Sequence, residues 1–343
     1  MNSTGRQYPL VPGKIFRRAA SIVVETQDQA REVVDDQKRR GADFIKVYNE
    51  LSPSAYFAIA AEAKRQHFPV EGHIPVRVSA LDVTAAGQKS IEHLLGIARA
   101  CSSGNQDELL SKAIAARDQR EADLVVLEAW HNFNEEKCQH LFAEFKKNGS
   151  WPVPTLDTQR SLAFFNDSRF NPDPRSRYFG GGFGDWVSGK FEAEDEKNWT
   201  KSDYDMEREI LTNDEKLVGK LYRAGVPMLA GTDAGNALGF PGFSLHDELA
   251  LLVDSGMSPF AALQAATWNP PVFMEVTDRY GSIDEGKLAD LVLLDADPSK
   301  DIHNTTKIFA VFFEGREFDR AALDRLLHTA EATAKAVATT PSP

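Results

Sequence analysis

Strand-like and helix-like segments alternate along this chain from about residue 22 to residue 233, and this alternation restricts the fold more than any other feature. Charged segments with helical spacing, such as residues 27–40, are followed by short apolar runs, such as residues 44–48. Strand, helix and strand in series predict parallel strands with helices packed outside them. With 343 residues, the chain is long enough for one large barrel domain or for two smaller domains.

The apolar segments predict six strands between residues 21 and 233. They are residues 21–24, 44–48, 69–75, 90–95, 151–156 and 226–233. A closed eight-stranded barrel needs more strands than these. Residues 157–203 break the alternation, and we predict that they form an insertion at the rim whose glycine run is not a phosphate loop. From residue 281 the pattern changes to strands, at residues 290–294 and 308–315.

Cysteine usage and charge exclude several classes of protein. Cys101 and Cys138 are too far apart for a CxxC motif and too few for a disulfide framework, so we expect two thiols. The net charge of -12 argues against a nucleic acid partner. No apolar run is long enough to span a membrane, and the first residues lack the apolar core of a signal peptide. Five Asn-x-Ser/Thr sequons nevertheless point to secretion, so the compartment is left open against a cytoplasmic default.

Lys46 is the most unusual residue in the predicted strands. It lies within an apolar run, on the same face as Phe44 and Tyr48. Barrel strands are covered on both faces, so we expect this amine to be buried. Burial favours a neutral amine, and a neutral amine can take up carbon dioxide to become a carbamate suited to bridging two metal ions. A lysine whose amine reaches the mouth of the barrel agrees equally well with the sequence.

His73 and His93 lie at the carboxyl ends of the next two predicted strands, so we expect them to converge with Lys46 on one rim of the sheet. Imidazole is a common ligand of zinc and related metals. Asp233 also follows an apolar strand. It is a candidate metal ligand and a candidate general base for a metal-activated water. Its alternative role is that of a helix N-cap.

The segments around these residues resemble the metal-dependent amidohydrolase superfamily, in particular its imidazolonepropionase-like and Xaa-Pro dipeptidase-like branch. They are residues 41–48, 72–75, 91–94, 231–235, 263–270 and 281–292. The resemblance implies a carboxylated lysine on the fourth barrel strand, histidines on the fifth and sixth, and an aspartate on the eighth, which correspond to Lys46, His73, His93 and Asp233. It also implies a divalent metal, with zinc as the first expectation and one or two ions bound.

The same resemblance implies an α/β fold of the (β/α)8 TIM-barrel type. We expect the barrel domain over residues 1–276, incomplete at its N-terminus and with its rim insertion at about residues 157–203. Residues 277–320 resemble the C-terminal half of a small β-sandwich, and residues 321–343 are predicted to be a helix and a disordered tail. The chain departs from the family because the first barrel strand should carry His-x-His, and no His-x-His occurs in this sequence.

The leading hypothesis is an amidohydrolase that cleaves amide-type C–N bonds in a dipeptide, an N-acyl amino acid or a cyclic amide, without a nucleic acid or membrane partner. Tyr48 and His246 are candidate substrate contacts, although a capping or surface role is the alternative for His246. The competing hypothesis is a catalytically inactive or truncated protein that lacks half of a binuclear metal site. A third hypothesis is a homo-oligomer in which two chains complete one another through uncovered strand edges.

Overall fold

A computed structural model describes residues 2–3, 21–190 and 197–338 of this chain. Helices predominate among these residues, and the strands are short. The chain divides into two compact units: residues 1–154 with 223–227, and residues 155–222 with 228–343. We refer to them as the first unit and the second unit and describe each by itself. The domain boundaries expected at residues 276 and 320 stay predictions.

The strands of the first unit pair in parallel. They are β1 (Asn2–Ser3), β2 (Ser21–Ile22), β3 (Ile45–Val47), β4 (Val70–Gly72), β5 (Ser90–Glu92) and β6 (Trp151–Val153). One sheet has the order β2-β1-β3-β4, and β5 pairs with β6. All of these pairs are parallel, which confirms the pairing that the alternation predicted. Closure of the strands into a barrel stays a prediction.

Helices follow most of these strands. They are α1 (Gln27–Arg39), α2 (Pro53–Arg65), α3 (Ala80–Ala85), α4 (Ile97–Ala100), α5 (Gln106–Ala115), α6 (Gln119–His131) and α7 (Glu135–Asn148). Thr26 and Ser52 cap α1 and α2, because each side chain accepts a hydrogen bond from a backbone N–H of the first turn. Ala30 and Val34 are buried on the face of α1 that the helical spacing predicted. The sequence did not predict α4 and α6.

Cys101 and Cys138 form a disulfide, so the expectation of two thiols is wrong. Cys101 ends α4, Cys138 lies in α7, and both are fully buried. The N–H of Asn134, which caps α7, donates to the carbonyl of Cys101 at 2.7 Å. Packing of the two helices therefore joins cysteines that are 37 residues apart, and their spacing alone did not indicate this proximity.

Residues 226–233 were predicted to be a strand, and this prediction is wrong. Among the described strands, none pairs with this segment. Instead, the N–H of Ala230 donates to the carbonyl of Ala265 at 2.9 Å, and the carbonyl of Met228 accepts from the Asn269 side chain at 2.8 Å. A strand needs a partner strand for its backbone groups, and here a helix end and a side chain take that place.

The second unit combines helices with one antiparallel sheet. Its helices are α8 (Leu156–Ala163), α9 (Gly181–Val187), α10 (Lys201–Arg223), α11 (Ser244–Asp254), α12 (Pro259–Thr267), α13 (Asn269–Phe273) and α14 (Arg320–Ala338). Arg223, the last residue of α10, is counted with the first unit. The sheet has the order β7-β8-β9, with β7 at Leu291–Leu294, β8 at Ile308–Phe313 and β9 at Arg316–Phe318. The strands predicted near residues 290 and 308 are confirmed, whereas β9 was not predicted separately.

The predicted insertion at residues 157–203 contains most of α8, a 3-10 helix and α9. Phe165 and Val187 of this segment are buried against Tyr204, Leu238 and Phe240, so a hydrophobic cluster anchors it within the second unit. Its acidic run at residues 192–196 lies outside the described residues, and so does the predicted disordered end from residue 339 onward. In the part of the chain that the structure describes, no helix is both long and apolar enough to cross a membrane.

Candidate metal-binding site

Three strands of the first unit contain a candidate site residue or end directly before one. Lys46 is the middle residue of β3, His73 directly follows β4, and His93 directly follows β5. The N–H of His73 donates to the carbonyl of Val47 at 3.1 Å, and the N–H of His93 donates to the carbonyl of Val153 at 3.1 Å. The two imidazole rings lie 4.7 Å apart and nearly perpendicular. The structure therefore brings the two histidines together at the carboxyl ends of β4 and β5.

Gly72 allows β3 and β4 to approach closely beside His73. Its φ is +114°, and a Cβ at this position would lie 2.3 Å from the carbonyl oxygen of Val47. A larger residue would have to move the strands apart, because real Cβ atoms do not come so near to another atom. Since Gly72 precedes His73, this close approach sets the position from which the His73 side chain starts.

The chain turns sharply after Glu92. His93 and Leu94 have φ values of +62° and +53°, a left-handed conformation that costs a non-glycine residue about 1–2 kcal/mol. Side chains alternate between the two faces along a regular strand, and a left-handed residue interrupts that alternation. One donor atom each from His73, Glu92 and His93 consequently lies within 4.8 Å of the others. Strained backbone of this kind is concentrated at functional sites.

The hydrogen bonds of His73 determine which ring nitrogen is available to a ligand. Its Nδ1 lies 2.6 Å from Oδ1 of Asn49. An amide oxygen only accepts, so Nδ1 carries the ring proton and Nε2 keeps a lone pair. Nε2 is buried and makes no hydrogen bond among the described residues. Burial, followed by nearby His93 and Lys46, lowers the pKa of His73 to about 2, so the ring is neutral. This is the form of imidazole that binds metals.

Glu92 links Lys46 to the histidines. Its Oε2 lies 2.6 Å from the Lys46 amine and 3.9 Å from Nε2 of His73. The side chain of Lys46 is 23% exposed, so the expectation of full burial is only partly met. Glu71 lies opposite Lys46 in the β3–β4 register, and burial together with Glu92 raises the pKa of Glu71 to about 7. Glu92 therefore contacts the Lys46 amine while Glu71 interacts electrostatically with both, and this excess of acid suits a cation.

A buried glutamine holds the ends of β4 and β5 in place. The Gln88 amide nitrogen lies 3.0 Å from the carbonyl of Gly72, 3.2 Å from that of His73 and 2.9 Å from that of Ser90. Its amide oxygen accepts a hydrogen bond from the Tyr56 hydroxyl at 3.0 Å. Burial raises the pKa of Tyr56, so the phenol stays neutral. Sequence reasoning missed Gln88 and Asn49, because neither belongs to a recognisable motif.

The remaining first-unit candidate is Tyr48, whose ring lies 4.1 Å from the His73 ring. Glu92 is the donor that sequence reasoning missed. The signal that could have found it is its position directly before His93, at the end of β5. A regular strand would direct the two side chains to opposite faces, and only the left-handed φ of His93 changes this expectation.

The other two predicted residues belong to the second unit. Asp233 has a φ of +48° and lies just before a turn, and the Asn236 side chain donates to its Oδ2 at 2.6 Å. No described helix begins there, so the N-cap alternative is wrong. His246 lies in the first turn of α11, with its Nδ1 3.0 Å from the Thr305 hydroxyl. Burial and Arg175 lower the pKa of His246, while Asp247 opposes them.

The second unit also contains a buried acid pair, Asp157 and Glu248. Oε2 of Glu248 accepts a hydrogen bond from the N–H of Asp157 at 2.8 Å. Burial, reinforced by Asp157, raises the pKa of Glu248 to about 8. Burial likewise raises the pKa of Asp157, although its ion pair with Arg160 opposes this. These carboxyl groups join α8 to α11 and lie outside the predicted site.

Comparison with solved structures shows the fold. A bottromycin amidohydrolase has a TM-score of 0.72 at 24% identity, covering 97% of this chain and 66% of that chain. A Xaa-Pro dipeptidase with bound methionine in its active site has a TM-score of 0.55 at 20% identity, covering 87% of this chain and 59% of that one. The A. niger ochratoxinase has a TM-score of 0.56 at 21% identity, with coverages of 87% and 56%. This chain thus spans less than two thirds of the length of each.

Comparison of sequences gives a family match over part of the chain. No curated protein sequence is similar enough to count as a match. The model of the amidohydrolase family matches residues 186–318, a range that includes Asp233 and His246 but excludes Lys46, His73 and His93. Residues 186–318 are therefore similar to the amidohydrolase family, and the fold of the chain is similar to that of amidohydrolases of solved structure.

Proposed function

We propose that this chain is a metal-dependent hydrolase that cleaves amide-type C–N bonds in dipeptides, N-acyl amino acids or cyclic amides. The observation that carries the proposal is the buried Nε2 of His73, which has no hydrogen-bond partner and lies among donors of His93 and Glu92. Leaving such a group unpaired costs about 1–3 kcal/mol, and a bound cation would offset that cost. The amidohydrolase family domain and the names of the similar structures support the reaction class.

His73 and His93 would hold the metal, with zinc as the first expectation. When bound, a divalent metal supplies Lewis-acid activation of water and of an amide carbonyl near neutral pH. Asn49 keeps the His73 lone pair available, and Gln88 links the carboxyl end of β4 to the first residue of β5. N-carboxylation of Lys46 and the presence of a second ion stay predictions.

Asp233 is our candidate for the general base, which accepts a proton from the attacking water and delivers it to the leaving nitrogen. The Asn236 amide donates a hydrogen bond to its Oδ2 and orients it. Asp233 belongs to the second unit, so its approach to the histidines is a prediction from the sequence. Tyr48 and His246 are proposed as substrate contacts on the same basis.

We further propose that β1–β6 belong to a (β/α)8 barrel and that β7–β9 form half of a small β-sandwich. The parallel pairing supports the first part and the antiparallel order of β7–β9 the second. The TM-score of 0.72 to an amidohydrolase supports both.

The compartment that we favour is an oxidising one, because disulfides persist there and are rare in the reducing cytosol. Two of the sequons, at Asn166 and Asn198, are exposed, whereas Asn304 is buried. Mass spectrometry of protein taken from its native cells, with free thiols blocked at lysis, tests this assignment. Two alkylated cysteines would contradict it.

Metal analysis and turnover of the purified chain test the proposed function. The wild type should contain a divalent metal and should hydrolyse members of a panel of Xaa-Pro dipeptides, N-acyl amino acids and cyclic amides. His73→Ala should lose both properties, whereas His140→Gln, which replaces an exposed histidine of α7, should keep both. A wild type without metal and without turnover would contradict the proposal. Metal binding without turnover would favour the competing hypothesis of an inactive, metal-binding protein.

A further inference from the structure

We infer that Thr158 is a positioning residue for Asp233, and that α8 is the brace from which Thr158 holds the segment carrying this candidate general base. The inference rests on the proposed function, because it specifies how the base of that same site is held in place. The effect of Thr158 on the reaction passes through the backbone of Asp233. The sequence did not single out Thr158, which belongs to the predicted insertion at residues 157–203.

The backbone at Asp233 needs support from outside its own segment. Residues 226–233 pair with none of the described strands, so a ladder of strand hydrogen bonds does not hold them. Asp233 has a left-handed φ of +48°, which costs a non-glycine residue about 1–2 kcal/mol. Its side chain is exposed, so close packing does not fix its direction. A strained conformation of this kind persists only where the surrounding structure holds it.

The Thr158 hydroxyl holds the peptide that joins Thr232 to Asp233. It donates to the carbonyl of Thr232 at 3.0 Å. Because the peptide unit is planar, fixing its oxygen also fixes the N–H of Asp233 and thereby restrains the φ angle of that residue. The Thr232 hydroxyl accepts from the N–H of Ala234 at 3.2 Å, which restrains the other side of Asp233. Thr158 thus holds the base through the backbone directly before it.

Thr158 belongs to a helix that is anchored at consecutive positions. Its neighbours in α8 each make a hydrogen bond or an ion pair with α10 or α11, namely Asp157 with Glu248 at 2.8 Å, Gln159 with Glu207 at 2.7 Å and Arg160 with Asp247 at 3.0 Å. Successive residues of a helix point about 100° apart, so these contacts restrain α8 from several sides. The anchored helix gives Thr158 a fixed place from which to hold the Thr232 carbonyl.

The buried carboxyl group of Glu248 gains a role in this arrangement. Thr155, which precedes α8, has a φ of +51°, and its side chain does not cap the helix. Glu248 is fully buried and accepts the N–H of Asp157 in the first turn of α8. The N–H groups of a first turn have no partner within the helix, so a buried helix start needs an acceptor from elsewhere. Glu248 supplies it from α11 and fixes the end of α8 that lies next to Thr158.

Thr158→Val tests the inference, because it removes the hydroxyl and keeps a branched side chain of similar size. With a substrate that the wild type hydrolyses, we expect kcat to fall about 10- to 100-fold, since a small displacement of a catalytic group is costly. We expect KM to change by less than about 2-fold, as for a contact that matters only in the transition state. The metal content should stay that of the wild type, because His73 and His93 lie in the first unit.

Two variants separate positioning from a general loss of stability. Thr158→Ser keeps the hydroxyl and should keep most of the wild-type kcat. Thr212→Val is the matched control, because the Thr212 hydroxyl donates to the Arg208 carbonyl on the exposed surface of α10. It should leave kcat unchanged. Circular dichroism of each full-length variant verifies folding, and equal losses of kcat in Thr158→Val and Thr158→Ser would overturn the inference.

Hydrogen exchange of the full chain without substrate gives a readout that does not need turnover. The N–H groups of Ala230 and Gly235 make backbone hydrogen bonds, so residues 230–235 report on the segment around Asp233. Thr158→Val should lose protection there, whereas Thr158→Ser should keep it.

Wild-type protection of residues 230–235 or a wild-type kcat in a folded Thr158→Val variant would overturn the inference while the proposed function stands. A wild type without turnover, combined with lost protection in Thr158→Val, would contradict the proposed function while the positioning of the Asp233 segment by Thr158 stands. A wild type without turnover and with unchanged protection in Thr158→Val would overturn both.

Discussion

Burial has opposite consequences for metal binding in the two units of this chain. In the first unit, burial lowers the pKa of His73, so the imidazole is neutral and its Nε2 carries a lone pair. In the second unit, burial raises the pKa of Glu248 to about 8, so this carboxyl group favours its protonated, neutral form. A neutral imidazole is a metal ligand, whereas a protonated carboxyl group is a poor one. The same desolvation therefore prepares one region to bind a cation and the other to resist it.

The two units also differ in what they contribute to the family similarity and to the proposed metal site. The amidohydrolase family match lies at residues 186–318, mostly in the second unit, whereas His73, Glu92 and His93 all lie in the first. The similarity to the family is thus recognised from a region that supplies few of the proposed ligands. The candidate metal-binding atoms are recognised from geometry. Four sets of substitutions test this contrast between the two units.

The largest effect is expected from removing the disulfide, which only the first unit contains. Replacing Cys101 and Cys138 by alanine should lower the free energy of unfolding of that unit by about 4 kcal/mol, because the bond closes a loop of 37 residues. Hydrogen exchange followed by mass spectrometry would locate the loss of protection. Wild type with reductant serves as the control, and an equal loss in both units would contradict the prediction.

A smaller loss of the free energy of unfolding is expected for Gly72→Ala, which places a Cβ against the Val47 carbonyl. Gly87→Ala is the matched control, because Gly87 also has a positive φ but no atom within 4 Å of its added Cβ. We expect about 1 kcal/mol of destabilisation for Gly87→Ala from backbone strain. For Gly72→Ala we expect about 2–3 kcal/mol more, since displaced strands add to this strain. Urea unfolding measures both, and equal values would show that the close approach of β3 and β4 is unimportant.

Asn49→Leu should weaken metal binding about 10- to 100-fold, which is roughly 1.4–2.7 kcal/mol, with little change in stability. The physical reason is that Nδ1 of His73 would lose its acceptor, so the ring proton could move to Nε2. Asn49→Asp retains an acceptor oxygen and should restore most of the affinity. Nitrogen-15 NMR of the imidazole reads out the tautomer, and an unchanged spectrum in Asn49→Leu would rule out this role.

The smallest effect concerns how the stability of the second unit depends on pH. The pKa of Glu248 is raised from 4.5 to about 8, so between these values the folded protein holds a proton that the unfolded chain has released. The contribution of Glu248 to stability is therefore fully present below about pH 4.5 and is lost as pH rises through about 8. Between pH 5 and pH 7 we expect the free energy of unfolding to fall by about 1–2 kcal/mol.

Glu248→Gln should flatten that part of the pH profile, because the amide is neutral at every pH in this range. Glu209→Gln, at an exposed position of the same unit, should leave the profile unchanged. Chemical unfolding at a series of pH values, with chelator present to remove metal effects, makes the measurement. A Glu248→Gln profile that matches the wild-type and Glu209→Gln profiles between pH 5 and pH 7 would contradict the assignment.

Much of the first unit was predictable because strand and helix periodicities are local. The pattern of residues 27–75 located α1, β3, α2 and β4, and His73 and His93 lie directly after β4 and β5 with their rings 4.7 Å apart. Residues 226–233 read as a strand for the same local reasons, yet their backbone bonds go to Ala265 and Asn269. Apolar composition favours a strand, but a strand exists only where another strand is available to pair with it.

The parts that could not be predicted depend on groups far apart in the sequence. Asn49 meets His73 and Gln88 meets Tyr56 only after the strands have assembled. Glu92 joins the donors because the backbone of His93 is left-handed, a local conformation that the surrounding packing imposes at an energetic cost. No pattern of residue types reveals such a conformation in advance.

The sequence by itself determined the alternation of strands and helices, the amidohydrolase resemblance and the candidate residues Lys46, His73 and His93, because these follow from periodicity and motif. Only the tertiary structure decided that Lys46 pairs with Glu92, that Nε2 of His73 is the orphan nitrogen, and that Cys101 and Cys138 are joined. The physical reason is that charge pairing, desolvation and covalent cross-linking depend on distances between atoms, and those distances exist only after the chain has folded.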